Sequence, residues 1–220
     1  MSDVPEALLP RPRREVAPGA VHLPDWLDAA RQRELVVLCR TWARGPVPMR
    51  AVRMPSGGTM SVRSLGLGWH WQPYRYSRTA DDAGGQAVLP FPEVLRDLGR
   101  AAVTATHGPE AGSGYEPDAA LVNYYDDDAR MGMHQDREER VDAPVVSLSL
   151  GAGCVFRFGN ARTRNRPWQD VELYSGDLFV FGGPSRLAYH GVVRTLPGTA
   201  PDGIGFEGRL NITLRQTGLG

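Results

Sequence analysis

The sequence contains no lysine; all 25 of its Lys/Arg cations are arginine, and 25 acidic residues balance them to a formal net charge of zero. A neutral chain has no global field with which to hold a polyanion. Any nucleic-acid contact must therefore come from a local patch, and arginine is the side chain suited to forked phosphate or carboxylate contacts. Cysteine is scarce. Cys39 and Cys154 lie far apart in different kinds of segment, which predicts two buried thiols, argues against a disulfide and leaves too few thiolates for a zinc site. No apolar run approaches the ~18 residues of a membrane-spanning helix. The N-terminal Met-Ser-Asp-Val-Pro-Glu lacks the basic-then-apolar order of a secretory signal, so the expected compartment is the cytoplasm.

What is present is ordinary for one globular domain: 220 residues, 41% hydrophobic and 23% charged, with no internal repeat or low-complexity tract. Residues 1–17 are rich in proline and carry Arg11, Arg13 and Arg14; they are expected to form a flexible arm or an extended cover strand. Asp25 is the expected N-cap of a helix in which Leu27, Ala30, Leu35, Leu38 and Trp42 recur at helical spacing, ending before Gly45. An alternating strand follows at 60–65, then an aromatic loop at 68–76. A second helix is predicted over 93–106, with Val94, Leu95, Leu98 and Ala102 inward. The second half changes character: short β-branched or alternating runs at 120–125, 145–150, 154–158, 177–181 and 209–215 are punctuated by turn residues, as in a sandwich or barrel. The fold class expected is mainly β (α+β), two helices packed on a closed or two-sheet β core in a single domain.

Chemistry concentrates in three places. In Met133-His134-Gln135-Asp136, an extended backbone puts the imidazole of His134 and the carboxylate of Asp136 on one face. Two such groups want a third, and His190, beyond the apolar 177–181 run and its Gly182-Gly183 turn, is the candidate. Two histidines and one carboxylate on one side of a metal leave positions open for co-substrate and oxygen, the pattern of non-heme Fe(II) oxygenases rather than zinc hydrolases. In Arg209-Leu-Asn211-Ile-Thr213-Leu-Arg215, alternation sends two arginines, an amide and a hydroxyl to one face and the apolar residues to the other. Turned into a barrel, that polar row is costly unless anions fill it, and a dicarboxylate such as 2-oxoglutarate meets the need.

Taken together, His134-x-Asp136, His190 some fifty residues on, and the C-terminal Arg-x-Asn-x-Thr-x-Arg resemble the AlkB family of Fe(II)/2-oxoglutarate dioxygenases. The likeness extends through Gly57-Gly58-Thr59-Met60-Ser61, Gly68-Trp69, Asn123-x-Tyr125, the 144–151 run and 182–191. It implies a double-stranded β-helix (jelly-roll) core over 115–216, supporting N-terminal helices and a nucleotide-recognition region over 45–85. It implies Fe(II) held by His134, Asp136 and His190, with 2-oxoglutarate and O2 as co-substrates. Arg209 would pair with the far carboxylate of 2-oxoglutarate, Asn123, Tyr125 and Asn211 would hydrogen-bond it, and Arg215 would sit near its metal-chelating end.

The same resemblance implies oxidative removal of N-methyl groups from 1-methyladenine and 3-methylcytosine in single-stranded DNA, with RNA as a second polymer. The base would be extruded and held between Trp69 and His134. Tyr74 or Tyr76 would touch backbone phosphate, Arg164 would reach substrate or phosphate, and Glu138 would help recognise the base. A monomer is expected. His22, His70 and His107 have no partners at useful spacing and are expected to be surface or structural. Two alternatives compete: a 2-oxoglutarate hydroxylase acting on tRNA or protein, and a non-catalytic jelly-roll domain that binds methylated nucleic acid.

Overall fold

The alternating C-terminal strand, Arg209–Arg215, is buried at every position because it lies in the interior of an eight-stranded antiparallel sheet. The computed structural model describes residues 10–55 and 57–220. The strand order across this sheet is Arg14–Ala17, Ala20–Leu23, Leu178–Phe181, Val145–Gly151, Arg209–Arg215, Ala119–Tyr125, Thr59–Leu67 and Arg50–Arg53. A second sheet of four strands runs Met131–His134, His190–Leu196, Gly153–Phe158, Gln169–Leu173. Aromatic and aliphatic side chains of both sheets, among them Phe156, Phe158, Val171, Phe179 and Phe181, fill the space near the Gln169–Leu173 edge. Each such side chain, fully buried, contributes about 1.5–3 kcal/mol. The opposite face of the large sheet, with Leu65, Val122, Leu148, Ile212 and Leu214, is covered by the helices Ala29–Trp42 and Glu93–His107. This is the jelly-roll core expected from the sequence.

The first helix starts later than Asp25. Asp28 is its N-cap, extended at φ −67°, ψ 167°, and its side chain accepts from the backbone N–H of Arg31 at 2.7 Å. Asp25 instead adopts a left-handed turn at φ 53°, and its carboxylate accepts from Arg11 at 2.9 Å. Ala30 consequently faces solvent, while Gln32, Val36 and Cys39 join Leu35 and Trp42 inside. The second helix matches its expected range to one residue, with Leu95, Leu98 and Ala102 buried. Cys39 and Cys154 are both buried free thiols, and burial pushes Cys39 up to about 12. No helix among the described residues is long and apolar enough to cross a membrane.

The arm expected over 1–17 needs correction for residues 10–17; residues 1–9 lie outside the described residues. Arg14–Ala17 is an edge strand of the large sheet, the extended alternative, and Arg11 is anchored by a forked contact to Asp177 at 2.6 and 2.8 Å. The Asp177 side chain is fully buried and also meets His22 Nε2 at 2.9 Å and the backbone N–H groups of Asp25 and Tyr174. Burial alone would raise its pKa, but His22, Arg11 and the two N–H donors outweigh that and hold it below the ordinary carboxylate range. Stability from this contact is therefore complete above the unfolded-state value and is lost as pH falls through the lowered native value. Melting temperature is expected to drop more steeply between about pH 5 and about pH 3 in the wild type than in Asp177→Asn. Parallel acid limbs in the two proteins would contradict this account.

Candidate active site

His134 ends one strand of the small sheet and His190 begins its neighbour, and the antiparallel register sets the two residues directly opposite each other. That pairing, not their spacing in the chain, brings the rings to 4.4 Å between centroids. Gly191 permits it: a Cβ there would lie 2.5 Å from the Met131 carbonyl oxygen. Asp136, two residues beyond His134, is 2% exposed. Its Oδ1 is 3.6 Å from His134 Nε2 and its Oδ2 is 3.7 Å from His190 Nε2, and the three ligand atoms all lie within 4.8 Å of one another. His134 Nδ1 donates to the Gly132 carbonyl and His190 Nδ1 to the Ala188 carbonyl, both at 2.9 Å. Both rings are thereby set with Nε2 bare toward the shared space.

The charges around the triad favour a metal. Burial opposes ionisation of Asp136, but Arg215, then His190 and His134, hold its carboxyl at about 2. Burial and then His134 push His190 down to about 4, so its ring is neutral. Asp136 Oδ2 is buried with no hydrogen-bond partner. Two imidazoles with Nε2 turned to the shared space and an orphaned carboxylate oxygen fit Fe(II) with one side left open.

A cavity of about 370 Å³ opens beside the triad. Its floor is the polar face of the large sheet, where Arg209, Asn211, Thr213 and Arg215 all point inward as alternation predicted. Arg209 is 1% exposed and donates to Ser149 Oγ at 3.0 Å, while its Nε and Nη1 are buried without partners. Arg215 reaches Asp136 Oδ1 at 2.7 Å and leaves Nε unpartnered. Unmatched guanidinium donors in an enclosed space fit a carboxylate ligand, so the site suits 2-oxoglutarate as well as iron. Asn211 donates to Ser147 Oγ and the Leu148 carbonyl and accepts from Thr213, which fixes its amide. Asn123 accepts from Ser64 at 2.6 Å, and Tyr125, 2% exposed, also lines the space.

Two expected substrate residues are elsewhere. Trp69 does not line the cavity: its Nε1 donates to Asp118 Oδ2 at 2.9 Å, and the Arg78 guanidinium lies 3.6 Å from its ring centroid. The aromatic segment is a hairpin, His70–Gln72 against Arg75–Ser77, rather than a loop. The next aromatic on this turn, Trp71, lines the cavity in place of Trp69. Tyr76 is also displaced from a phosphate-facing role, because its hydroxyl donates to Glu139 Oε1 at 2.5 Å and accepts from Arg215 at 2.9 Å. Tyr74, 65% exposed, Arg164 and Glu138 do line the cavity. Of the other arginines near Arg164, Arg157 is taken up by a forked surface pair with Asp170 at 2.8 Å.

Two contributors were not assigned a role from the sequence, and a third was weighed only beside Trp69. Glu139 has a fully buried side chain between Arg186, at 2.9 Å, and Arg215, at 3.2 Å. Arg186 also donates to the backbone carbonyl of Asp136 at 2.6 Å, so this acid and its two arginines brace the metal-ligand segment from behind. Adjacent Glu138 and Glu139 look alike in sequence; only the local turn decides which one is swallowed. The third is Trp71.

The sequence profile of the 2OG-Fe(II) oxygenase superfamily matches residues 19–215. The chain is 38% identical to the alpha-ketoglutarate-dependent dioxygenase AlkB of Escherichia coli over 177 residues, covering 78% of each chain. It is 40% identical over 210 residues to the AlkB homolog of Caulobacter vibrioides, covering 91% of this chain and 89% of that one. The solved structure of OsALKBH1 superposes with a TM-score of 0.83 at 31% identity, covering 93% of this chain and 100% of that one. A triad that fits Fe(II), a buried arginine awaiting a carboxylate and these likenesses lead to one conclusion: the chain belongs to the AlkB family of Fe(II)/2-oxoglutarate-dependent dioxygenases.

Proposed function

We propose that this dioxygenase demethylates N-alkylated nucleobases, 1-methyladenine and 3-methylcytosine, in single-stranded DNA and also in RNA. The observation that carries the reading is one cavity bounded by the His134–Asp136–His190 triad, by the unpartnered donors of Arg209 and by the indole of Trp71. A space of about 370 Å³ takes a flat base beside a small dicarboxylate. The relatives lend support by name: beyond the bacterial proteins, an Arabidopsis thaliana protein 32% identical to this chain is a DNA N(6)-methyladenine demethylase, and one from Schizosaccharomyces pombe, 31% identical over 113 residues, is a tRNA demethylase.

With Fe(II), 2-oxoglutarate and O2 bound, the chemistry supplied is oxidation of the N-methyl group, released as formaldehyde, with succinate and CO2 as the other products. The chain's own residues then have separable tasks. His134, Asp136 and His190 hold the metal. Arg209 grips the far carboxylate of 2-oxoglutarate, Asn123, Tyr125 and Asn211 line its path, and Arg215 stands at the metal end beside Asp136. Trp71 presents an aromatic face to the extruded base, Glu138 meets a cationic lesion from the rim, and exposed Tyr74 and Arg164 meet the flanking phosphates. Residues 45–85 form the recognition region. The protein acts as a monomer, and two free buried thiols suit the reducing cytoplasm.

The test is incubation with an oligonucleotide carrying one 1-methyladenine or 3-methylcytosine, with Fe(II), ascorbate and 2-oxoglutarate, read by mass spectrometry. Loss of one methyl group per lesion is expected; stimulation of 2-oxoglutarate turnover only by tRNA or a peptide would replace the reading. Trp71→Ala is expected to lower kcat/KM on the lesion by about tenfold or more, the value of one base–aromatic stack. Trp69→Ala is expected to act on stability, through Asp118 and Arg78. Lesion turnover that depended on Trp69 and ignored Trp71 would refute this division.

A further inference from the structure

Among the described residues, six buried side-chain nitrogen or oxygen atoms have no hydrogen-bond partner, and four of them belong to Asp136, Arg209 and Arg215. The other two are His70 Nδ1 and Trp71 Nε1, on consecutive residues of one hairpin strand, and both residues line the cavity. Trp71 already has a use through its ring face. His70 has none, although an imidazole 4% exposed is an expensive choice for a merely structural position.

The far side of this ring is tightly held. Asp82 Oδ1 lies 2.8 Å from His70 Nε2 and also accepts from Arg50 Nη2 at 2.7 Å and from Gln72 Nε2 at 3.1 Å. Burial opposes ionisation of Asp82, but Arg50 and His70 outweigh it and lower its pKa, so the partner is a carboxylate. Arg50 Nη2 also lies 3.1 Å from Nε2, but the carboxylate oxygen is nearer at 2.8 Å and only accepts, which assigns the tautomer with the proton on Nε2 and a lone pair on Nδ1. The hairpin bearing it folds back onto the large sheet at Gly66, where a Cβ would collide with the Trp69 carbonyl and crowd His70 Cα. Gly66 pairs with Leu121, and Leu121 with Thr213, so this row of the sheet runs from beneath His70 to the strand carrying Arg209 and Arg215.

We propose that His70 is a specificity-determining residue whose Nδ1 accepts a hydrogen bond from the exocyclic amino group of the target base. The inference rests on the demethylation reading above. Both 1-methyladenine and 3-methylcytosine carry an amino group beside the methylated nitrogen. Their counterparts 1-methylguanine and 3-methylthymine carry a carbonyl there, whose lone pairs would face the lone pair of Nδ1. Asp82 and Arg50 act as positioning residues that set the tautomer.

The experiment compares kcat/KM on oligonucleotides bearing 3-methylcytosine or 3-methylthymine, which differ in this amino-for-carbonyl exchange, in the positive charge of the first and in the C5 methyl of the second, each rate normalised to 2-oxoglutarate turnover without nucleic acid. The wild type should prefer 3-methylcytosine, and His70→Phe should shrink that preference by about tenfold or more, chiefly through KM on 3-methylcytosine. His70→Gln, which restores an acceptor, should recover part of it. Asp82→Ala gives a sharper readout: it leaves Arg50 Nη2, 3.1 Å from Nε2 and only a donor, as the ring's partner, which moves the ring proton to Nδ1 and shifts preference toward 3-methylthymine. Equal losses on both lesions in His70→Phe, or an unchanged ratio in Asp82→Ala, would overturn the assignment while leaving demethylation intact. A wild type inactive on both lesions would overturn the demethylation reading and this assignment with it.

Discussion

Asp136→Ala is expected to reduce lesion turnover by roughly a thousandfold or more, since removing the carboxylate unseats a metal whose contribution to such chemistry is several kcal/mol. The carboxylate is the sole acid of the triad, and the surrounding cations keep it ionised, Arg215 at 2.7 Å foremost and Arg186, which donates to its backbone carbonyl, among them. Deleting it leaves two imidazoles and a buried guanidinium at the metal position. Arg215 keeps Glu139 at 3.2 Å, so the fold should survive with a lowered melting temperature rather than collapse. Metal content after dialysis and the absorbance change on anaerobic addition of Fe(II) and 2-oxoglutarate are the measurements that isolate the site from the fold. A folded Asp136→Ala protein that retained stoichiometric iron and near-normal turnover would remove the basis for the metal assignment.

Arg209→Met carries the second large effect, and its two readouts move in opposite directions. Among the described residues Arg209 has no acidic partner, only Ser149 Oγ, and two of its nitrogens are buried without acceptors. The free protein therefore holds a buried cation that its co-substrate must satisfy. Replacing it with an apolar side chain of similar reach should leave the unliganded protein as stable as the wild type or more so. The same change should raise KM for 2-oxoglutarate by about a hundredfold, the worth of one or two charge-assisted hydrogen bonds. It should also abolish the rise in melting temperature that 2-oxoglutarate gives the wild type. Loss of stability with an unaltered KM would mean that Arg209 is a structural cation and that the dicarboxylate binds elsewhere.

Much of the catalytic half was legible because strand alternation is a local rule with a period of two. Once 209–215 was read as a strand, the shared face of Arg209, Asn211, Thr213 and Arg215 followed, and so did the apolar face that the helices cover. His134 and Asp136 were joined by the same rule. His190 was recoverable only by asking what chemistry the pair lacked, because its approach to His134 depends on strand register between distant segments. The failures share a cause. Asp25 satisfied the pattern for an N-cap, but its backbone and carboxylate are engaged by Asp177 and Arg11, contacts over 100 residues of chain in the first case. Trp69 and Trp71 sit two apart and are chemically identical, and a hairpin with Asp118 and Arg78 waiting on one side decides between them.

The amino-acid sequence by itself determined the chemistry available: two imidazoles, an acid, a polar arginine row, a β-rich second half and two thiols that stay apart. These follow from residue types and short-range periodicity, which need no knowledge of the remainder of the chain. Only the tertiary structure decided which aromatic lines the cavity, which of two neighbouring glutamates is buried between arginines, and that His70, with an unpartnered buried nitrogen, lines the same cavity. Those choices are made by packing between segments far apart in sequence, where a few ångströms of hairpin placement separate a structural ring from one that lines the cavity.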